Sequence, residues 1–209
     1  MRRLRTALLA VFFLCASCAW AEGDGNLHIY CIDVGHHAGC GFIAQGDSTL
    51  IISPTGKRML IDGADGGNCG ADSIIATLGR VAPTGGMDYM LVTHWDEDHY
   101  YGIDDVATYN SNQYMPPVIY DIGDIGASDP TSSYKTTFAG RRQTPAAGDV
   151  IDLGGGVAAL IVCVNGTIHD GSPVTPSDMN ERSIGVVLRY GGFDYLTCGD
   201  LPTSVENPL

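Results

Sequence analysis

An apolar stretch over 87–93 runs directly into Thr93-His94-Trp95-Asp96-Glu97-Asp98-His99, and no other feature limits the folding of this chain as much. A strand that passes from apolar residues to a dense group of ionisable ones within one turn must end at the edge of a core. Four groups able to bind a metal, His94, Asp96, Asp98 and His99, then fall within six residues on the turn leaving that rigid element. A divalent cation needs neutral imidazole and carboxylate donors held close together. An acidic surface turn is the plain alternative. Such turns are common, but two histidines flanking two aspartates at the end of an apolar strand are not.

A second strand-like run, Leu196-Thr197-Cys198-Gly199-Asp200, ends in an aspartate after a glycine. Alone, a Gly-Asp turn calls for no explanation. Paired with the first cluster it gains force, because a carboxylate arriving from a second sheet can bridge two metals.

The remaining chain reads as many short elements. Its 28 glycines favour tight turns over a helical bundle, since glycine is costly inside helices. Strands are predicted over 27–34, 48–53, 58–61, 87–93, 118–121, 157–164, 183–190 and 193–197. Pro54-Thr55-Gly56 turns the first hairpin and Gly191-Gly192 the last. Ile74, Ile75, Leu78 and Val81 have helical spacing and predict a helix over 73–81 with Ser73 as its N-cap. A shorter helix is expected over 102–108. Residues 109–149, rich in Ser, Thr, Asp, Pro and Gly, are expected to be mostly loop around the 118–121 strand and to shape the pocket. The 62–72 loop lacks the closing glutamate of a calcium loop. Mixed helices and strands, with hairpins in both halves and no dividing linker, indicate one α+β sandwich rather than a doubly wound parallel sheet. At 209 residues, 44% of them hydrophobic, the chain can bury a real core.

Residues 1–21 read as a secretory signal peptide: Arg2, Arg3 and Arg5 precede an apolar run, and Ala19-Trp20-Ala21 offers small residues at the cleavage positions. The apolar run over 7–20 is shorter than the about 20 residues of a membrane span. The mature domain, 22–209, is therefore expected to be secreted or periplasmic, with no span after cleavage. The formal charge of the chain is −13, and loss of the three arginines makes it more negative. Such a surface repels polyanions at long range. It argues against a scaffold that coats DNA, and a phosphate-bearing substrate would have to be attracted locally, most simply by a bound metal ion. Cys31, Cys163 and Cys198 fall in apolar runs and read as small buried hydrophobes. Cys40 and Cys69 lie in Gly-rich loops, free to pair in an oxidising compartment. A Cys-x-x-Cys zinc knuckle, a nucleotide-binding Gly-rich loop and a serine nucleophile elbow are all absent from the sequence.

His-x-Asp-x-Asp-His after a strand, with a later strand ending in Gly-Asp, resembles the metallo-β-lactamase superfamily. Within it the chain most resembles the hydrolase domain of ComEC-type competence proteins and their free-standing secreted relatives. Asp33-Val34-Gly35, Gln45-Gly46-Asp47-Ser48-Thr49-Leu50-Ile51, Leu60-Ile61-Asp62-Gly63, Asn180-Glu181-Arg182-Ser183-Ile184 and the 193–200 run carry the resemblance in the same order over 27–201. It implies an αββα sandwich with a one- or two-metal centre at the edge of the sheets. His94 and Asp96 would bind one divalent ion, Asp98 and His99 the second, and Asp200 would lie between them. Asp98 would also orient or deprotonate the attacking water. The superfamily commonly has histidine at the place of Asp96. Trading imidazole for carboxylate hardens the site and shifts preference from Zn2+ towards Mn2+.

Three departures from the family pattern matter. Residues 36–44 are inserted between Asp-Val-Gly and Gln-Gly-Asp, and their His36, His37 and Cys40 could reach a metal, although a loop with incidental histidines accounts for them more simply. Asn180 stands where many members carry a histidine. It reads as a weak ligand, a substrate contact or a cap of the following strand, ahead of His169, which lies farther upstream. Arg182 could hold a phosphate oxygen, a solvated arginine being its ordinary reading. Only nine residues follow Asp200, whereas the family continues through more strand and helix and supplies a further histidine. The sandwich is therefore expected to be incomplete at its C-terminus, with an uncovered sheet edge and a weakened second metal.

The leading expectation is an exported hydrolase that cleaves phosphodiester bonds with one or two divalent ions, acting on a small molecule, a phosphate-containing wall polymer or DNA. Two alternatives stand beside it. One is hydrolysis of a carboxylic ester, lactone or amide by the same centre; the other is a non-catalytic fragment that binds a metal or a partner.

Overall fold

A computed structural model describes residues 23–35, 45–65, 69–126 and 129–206. The expected signal peptide and His36, His37 and Cys40 lie outside them. The first sheet contains β1 (His28–Cys31), β2 (Thr49–Ile52), β3 (Arg58–Ile61), β4 (Tyr89–Leu91), β5 (Val118–Tyr120) and β6 (Arg142–Gln143), adjacent in that order. β1 to β3 form an antiparallel meander, and β3 to β6 run parallel. Parallel neighbours need crossovers. α1 (Gly70–Val81) links β3 to β4, α2 (Glu97–Tyr100) and α3 (Ile103–Asn112) link β4 to β5, and α4 (Ser132–Thr137) links β5 to β6.

The second sheet is antiparallel and consists of β7 (Val150–Gly154), β8 (Val157–Val164), β9 (Thr167–Ile168), β10 (Gly185–Tyr190) and β11 (Phe193–Thr197). Its order is β11-β10-β8-β7, with β9 paired to β8. α5 (Thr203–Glu206) follows.

Burial explains why the two sheets read so differently in sequence. Leu50 and Ile51, Leu60 and Ile61, and Met90 and Leu91 are consecutive and fully buried, so both faces of the first sheet are covered. Ile74 and Leu78 of α1 and Ile103 and Val106 of α3 share one core cluster with it, and so do Ile151, Leu153, Ala159, Ile161, Val186 and Leu188 of the second sheet. Among the described residues the second sheet is fully covered on one face only. Its other face carries Val150, Leu160, Val187 and Leu196 in one cross-strand row, with Val150 60% and Leu196 43% exposed. The described layers are thus helix, sheet, sheet, which is the expected α+β sandwich. Beyond the short α5, whose Val205 packs with Cys163, Ile168, Cys198 and Leu201, no helix is described on the second sheet. Among the described residues no helix is long and apolar enough to cross a membrane.

Several expectations are corrected. α1 begins at Gly70 with Cys69 as its N-cap residue, so Ser73 is a buried helical residue and not the cap. Gly70 is needed there, because a Cβ would lie 2.6 Å from the Ala64 side chain. The 109–149 stretch is mostly loop, as expected, but it also holds α4 and β6 besides β5. Thr131 caps α4 by accepting from Tyr134 N at 3.3 Å, and Tyr134 and Phe138, one turn apart, anchor it in the core. Cys31 is exposed, because β1 is an edge strand, while Cys163 and Cys198 are buried. Cys69 is disulfide-bonded; Cys40, the expected partner, lies outside the described residues.

Candidate metal centre

The centre forms where the ends of β3 and β4 meet the β10 entry and the turn after β11. Asp62, the first residue past β3, has a left-handed backbone (φ +60) and is buried. Its N–H donates to Leu91 O at 2.8 Å, which ties the two strand ends together. Its carboxylate accepts from Thr93 N at 2.7 Å, from the Thr93 hydroxyl at 2.7 Å and from His99 Nδ1 at 2.9 Å.

These bonds fix the chemistry of both imidazoles. The single Thr93 hydroxyl proton goes to Asp62, so in the 3.0 Å contact with His94 Nδ1 the Thr93 oxygen is the acceptor. The proton of neutral His94 therefore sits on Nδ1, leaving a lone pair on Nε2. That atom is buried and has no hydrogen-bond partner. Burial, together with the neighbouring His99, holds the His94 pKa below its ordinary value and keeps this lone pair available. His99 likewise commits Nδ1–H to Asp62 and directs Nε2 to Asp200 Oδ1, 3.3 Å away. One ligand atom each from His94, His99 and Asp200 lies within 4.8 Å of the others. An orphaned buried imidazole nitrogen, on a ring grouped with a second imidazole and a carboxylate, fits a divalent cation.

The turn after β11 reaches this point because residue 199 is a glycine. Gly199 has φ +55, and a Cβ there would lie 2.5 Å from Thr93 Oγ1 and 3.3 Å from His94 Nδ1. On the second sheet, Ile184 N donates to Thr93 O at 2.9 Å, fastening the entry of β10 to the end of β4. Trp95, inside the motif, is a structural pin. Its indole N–H donates to Gly123 O at 3.0 Å, its ring packs edge-on against Tyr100 and Tyr134, and the Arg142 guanidinium lies over it. Arg142 is itself held by Asp121 and Asp124.

Of the residues singled out in the sequence, His94, His99 and Asp200 converge. Asp96 lies beside them, with Oδ2 3.4 Å from His94 Nε2 and outside hydrogen-bond geometry. Asp98 is half-buried in the first turn of α2, close enough for its charge to act on His99. Asn180 and Arg182 occupy a 3₁₀ turn immediately before β10. They are half-buried, and their described bonds are backbone ones: Asn180 O accepts from Ser183 N and Arg182 O from Asn165 N. His169 faces Gly148 and Asp170. The sequence reading gave no role to Asp62, Thr93 or Asp47. Asp62 carried one usable signal, a carboxylate directly after a wholly buried strand. Burial pushes the Asp47 carboxyl above its ordinary pKa, His99 opposes this, and the charges of Asp62, Asp200 and Asp98 reinforce it.

His99 also sets the pH dependence. Burial disfavours its charged form, but the bond to Asp62 and the charges of Asp62, Asp200 and Asp98 outweigh this and raise its pKa to about 9. Below that value a metal must displace a proton from Nε2. Apparent affinity should fall about tenfold for each pH unit below 9. In the metal-free protein the sign is opposite for folding: the raised pKa stabilises the native state below the unfolded value of 6.5, and that contribution is lost as pH rises through about 9. Calorimetric Mn2+ titrations at three pH values measure the slope, and a flat profile would remove His99 from the ligand set.

No family model matches the chain, and no curated protein does. Among solved structures it is similar to Zn2+-bound PqqB from Methylobacterium extorquens, with a TM-score of 0.51 and 16% identity over 80% of this chain and 63% of that one. It is also similar to MEM-A1, a subclass B3 metallo-β-lactamase from a soil metagenome library, with a TM-score of 0.49 and 14% identity over 86% of this chain and 62% of that one. A metallo-β-lactamase of Cronobacter sakazakii gives a TM-score of 0.47 and 13% identity over 82% of this chain and 60% of that one. The chain has the metallo-β-lactamase fold and spans under two thirds of the length of these structures.

Proposed function

We propose that this chain is an exported metal-dependent hydrolase whose substrates are phosphodiesters. The observation that carries the reading is the convergence of His94, His99 and the Asp200 carboxylate, with each imidazole held through Nδ1 and the buried Nε2 of His94 left without a partner. The solved PqqB structure of the same fold holds Zn2+. When bound by His94, His99 and Asp200, with Asp96 beside them, a divalent ion supplies Lewis acidity towards the scissile group. The chain's own residues do the rest. Thr93 and Asp62 keep both imidazoles oriented, and Asp98, in the first turn of α2, orients the attacking water and takes its proton.

The donor set favours phosphoryl over acyl substrates. The donors around the two histidines are carboxylates, which suit hard ions such as Mn2+ and hence phosphoryl oxygens. The net charge of −13 works the other way at long range, so an anionic substrate must be drawn in by the metal itself. The basic start, apolar run and Ala19-Trp20-Ala21 of segment 1–21 support export.

The test is incubation with single-stranded DNA and a bis-aryl phosphodiester, beside a panel of lactones and carboxylic esters, with Mn2+ or with chelator. Phosphodiester turnover that chelator abolishes is the expected result. Chelator-sensitive turnover of the lactones or esters alone would overturn the substrate class, and inactivity on every substrate would overturn the hydrolase reading.

A further inference from the structure

Arg58 is the first residue of β3, whose other end carries Asp62 and the metal centre. With Lys57 it lines a cavity of about 390 Å3, walled on the far side by Gly85, Gly86 and Asp88 of the loop before β4. Arg58 is only 4% exposed. Its Nη1 donates to the carbonyls of Thr84 and Gly86, and a Cβ at Gly85 (φ +83) would lie 2.9 Å from that atom. The other edge of the guanidinium has no such use. Nε is buried without a hydrogen-bond partner, and Nη2 has no acceptor among the described residues. Neither cation forms an ion pair among them. Lys57 Nζ donates to a backbone carbonyl, Asp152 O, at 3.1 Å, and the Asp88 carboxylate accepts from Arg58 N at 2.8 Å, not from its guanidinium. The N–H groups of Gly85 and Gly86 donate to no described residue either. A buried guanidinium served by carbonyls alone is costly. Burial pushes its pKa below the ordinary value, and the charges of Asp88 and Tyr114 oppose this only in part.

We propose that this cavity is an anion site, taking the phosphate or carboxylate group of a small molecule, with Arg58 and Lys57 as its cations. The unused Nε–Nη2 edge is one on which a guanidinium makes two parallel bonds to an oxyanion. Two cations against the single carboxylate of Asp88 leave the cavity positive. The chain has 11 Lys and Arg against 24 Asp and Glu, so two cations without ion pairs beside one cavity stand apart from the rest of the molecule. The volume suits a small molecule rather than a bare ion. None of these residues belongs to the metal centre, so the site stands or falls apart from the hydrolase reading.

The experiment strips the full chain of metal, dialyses it free of chelator, and follows its backbone amides by NMR. Inorganic phosphate, acetate and chloride are titrated in turn at constant ionic strength. Phosphate or acetate should shift the amides of Lys57, Gly85 and Gly86 saturably, and the tighter of the two identifies the group; chloride should not. Lys57→Gln should weaken that binding by about threefold or more. Asp88→Asn removes the like charge, keeps an acceptor for Arg58 N, and should tighten binding by a similar factor. Arg58→Lys keeps the charge without the fork and should lose about tenfold or more. It also gives up the anchor of the 84–86 loop, so the two milder variants decide the matter if it does not fold. Three results would overturn the site: no saturable shift with either oxyanion, an equal response to chloride, or an affinity unchanged in both Lys57→Gln and Asp88→Asn.

Discussion

Asp62→Asn should weaken divalent-metal binding by about 10- to 100-fold while the protein stays folded. The backbone permits the change, because asparagine tolerates the left-handed conformation that Asp62 adopts at φ +60. Hydrogen bonding does not. Oδ2 accepts from both the Thr93 hydroxyl and His99 Nδ1, and Oδ1 accepts from Thr93 N. An amide nitrogen at the Oδ2 position leaves two buried donors without an acceptor; at the Oδ1 position it leaves one. Each unmet donor costs about 1–3 kcal/mol. With the amide nitrogen facing it, the Thr93 hydroxyl turns its proton to His94 Nδ1, which moves the imidazole proton to Nε2 and blocks the metal-facing nitrogen. The charge that raises the His99 pKa is lost as well, so the pH slope of metal binding shifts to lower pH. Calorimetry gives the affinity, and imidazole nitrogen shifts in NMR give the tautomers. Wild-type affinity with His94 still protonated on Nδ1 would show that Asp62 does not set the site.

That prediction could not have come from the sequence, and the reason is distance along the chain. His94 to His99 is a local motif, so its ligands are legible as a string. Asp62 meets Thr93 across 31 positions and His99 across 37, through pairing of β3 with β4 that only the folded sheet creates. Asp200 was legible because it follows an apolar strand and a glycine, which mark a strand end turning sharply.

The same division runs through the fold. β2, β3 and β8 announced themselves as apolar runs, and both hairpins by their turns. α4 did not, because Ser132, Ser133, Thr136 and Thr137 are weak helix formers and two buried aromatics stabilise it instead. β6 is two residues long and pairs with β5 alone. In β7 the outward residue Val150 is apolar and 60% exposed, which blurs the alternation that marks a one-sided strand. The start of α1 is set by a disulfide-bonded Cys69 and a close backbone approach at Gly70, neither of which leaves a capping signal.

Gly199→Ala should disable the centre from the opposite side, and Gly191→Ala is its matched control. Both glycines are left-handed, at φ +55 and +60, so an alanine at either carries the same backbone penalty of about 1–2 kcal/mol. The surroundings differ. A Cβ at Gly191, in the β10–β11 turn, meets nothing within 4 Å, whereas at Gly199 it lies 2.5 Å from Thr93 Oγ1 and 2.9 Å from Thr93 Cβ. Thr93 cannot retreat, because its N–H and hydroxyl are both bound to Asp62 and its carbonyl accepts from Ile184 N. Either the Asp200 turn swings out and withdraws its carboxylate from His99, or Thr93 moves and releases His94. Overpacking of this kind adds about 1–3 kcal/mol to the loss of stability. Both variants should melt earlier than the wild type, Gly199→Ala by the larger margin, and only Gly199→Ala should lose metal. If the two variants bind Mn2+ equally well, the turn after β11 does not deliver Asp200 to the histidines.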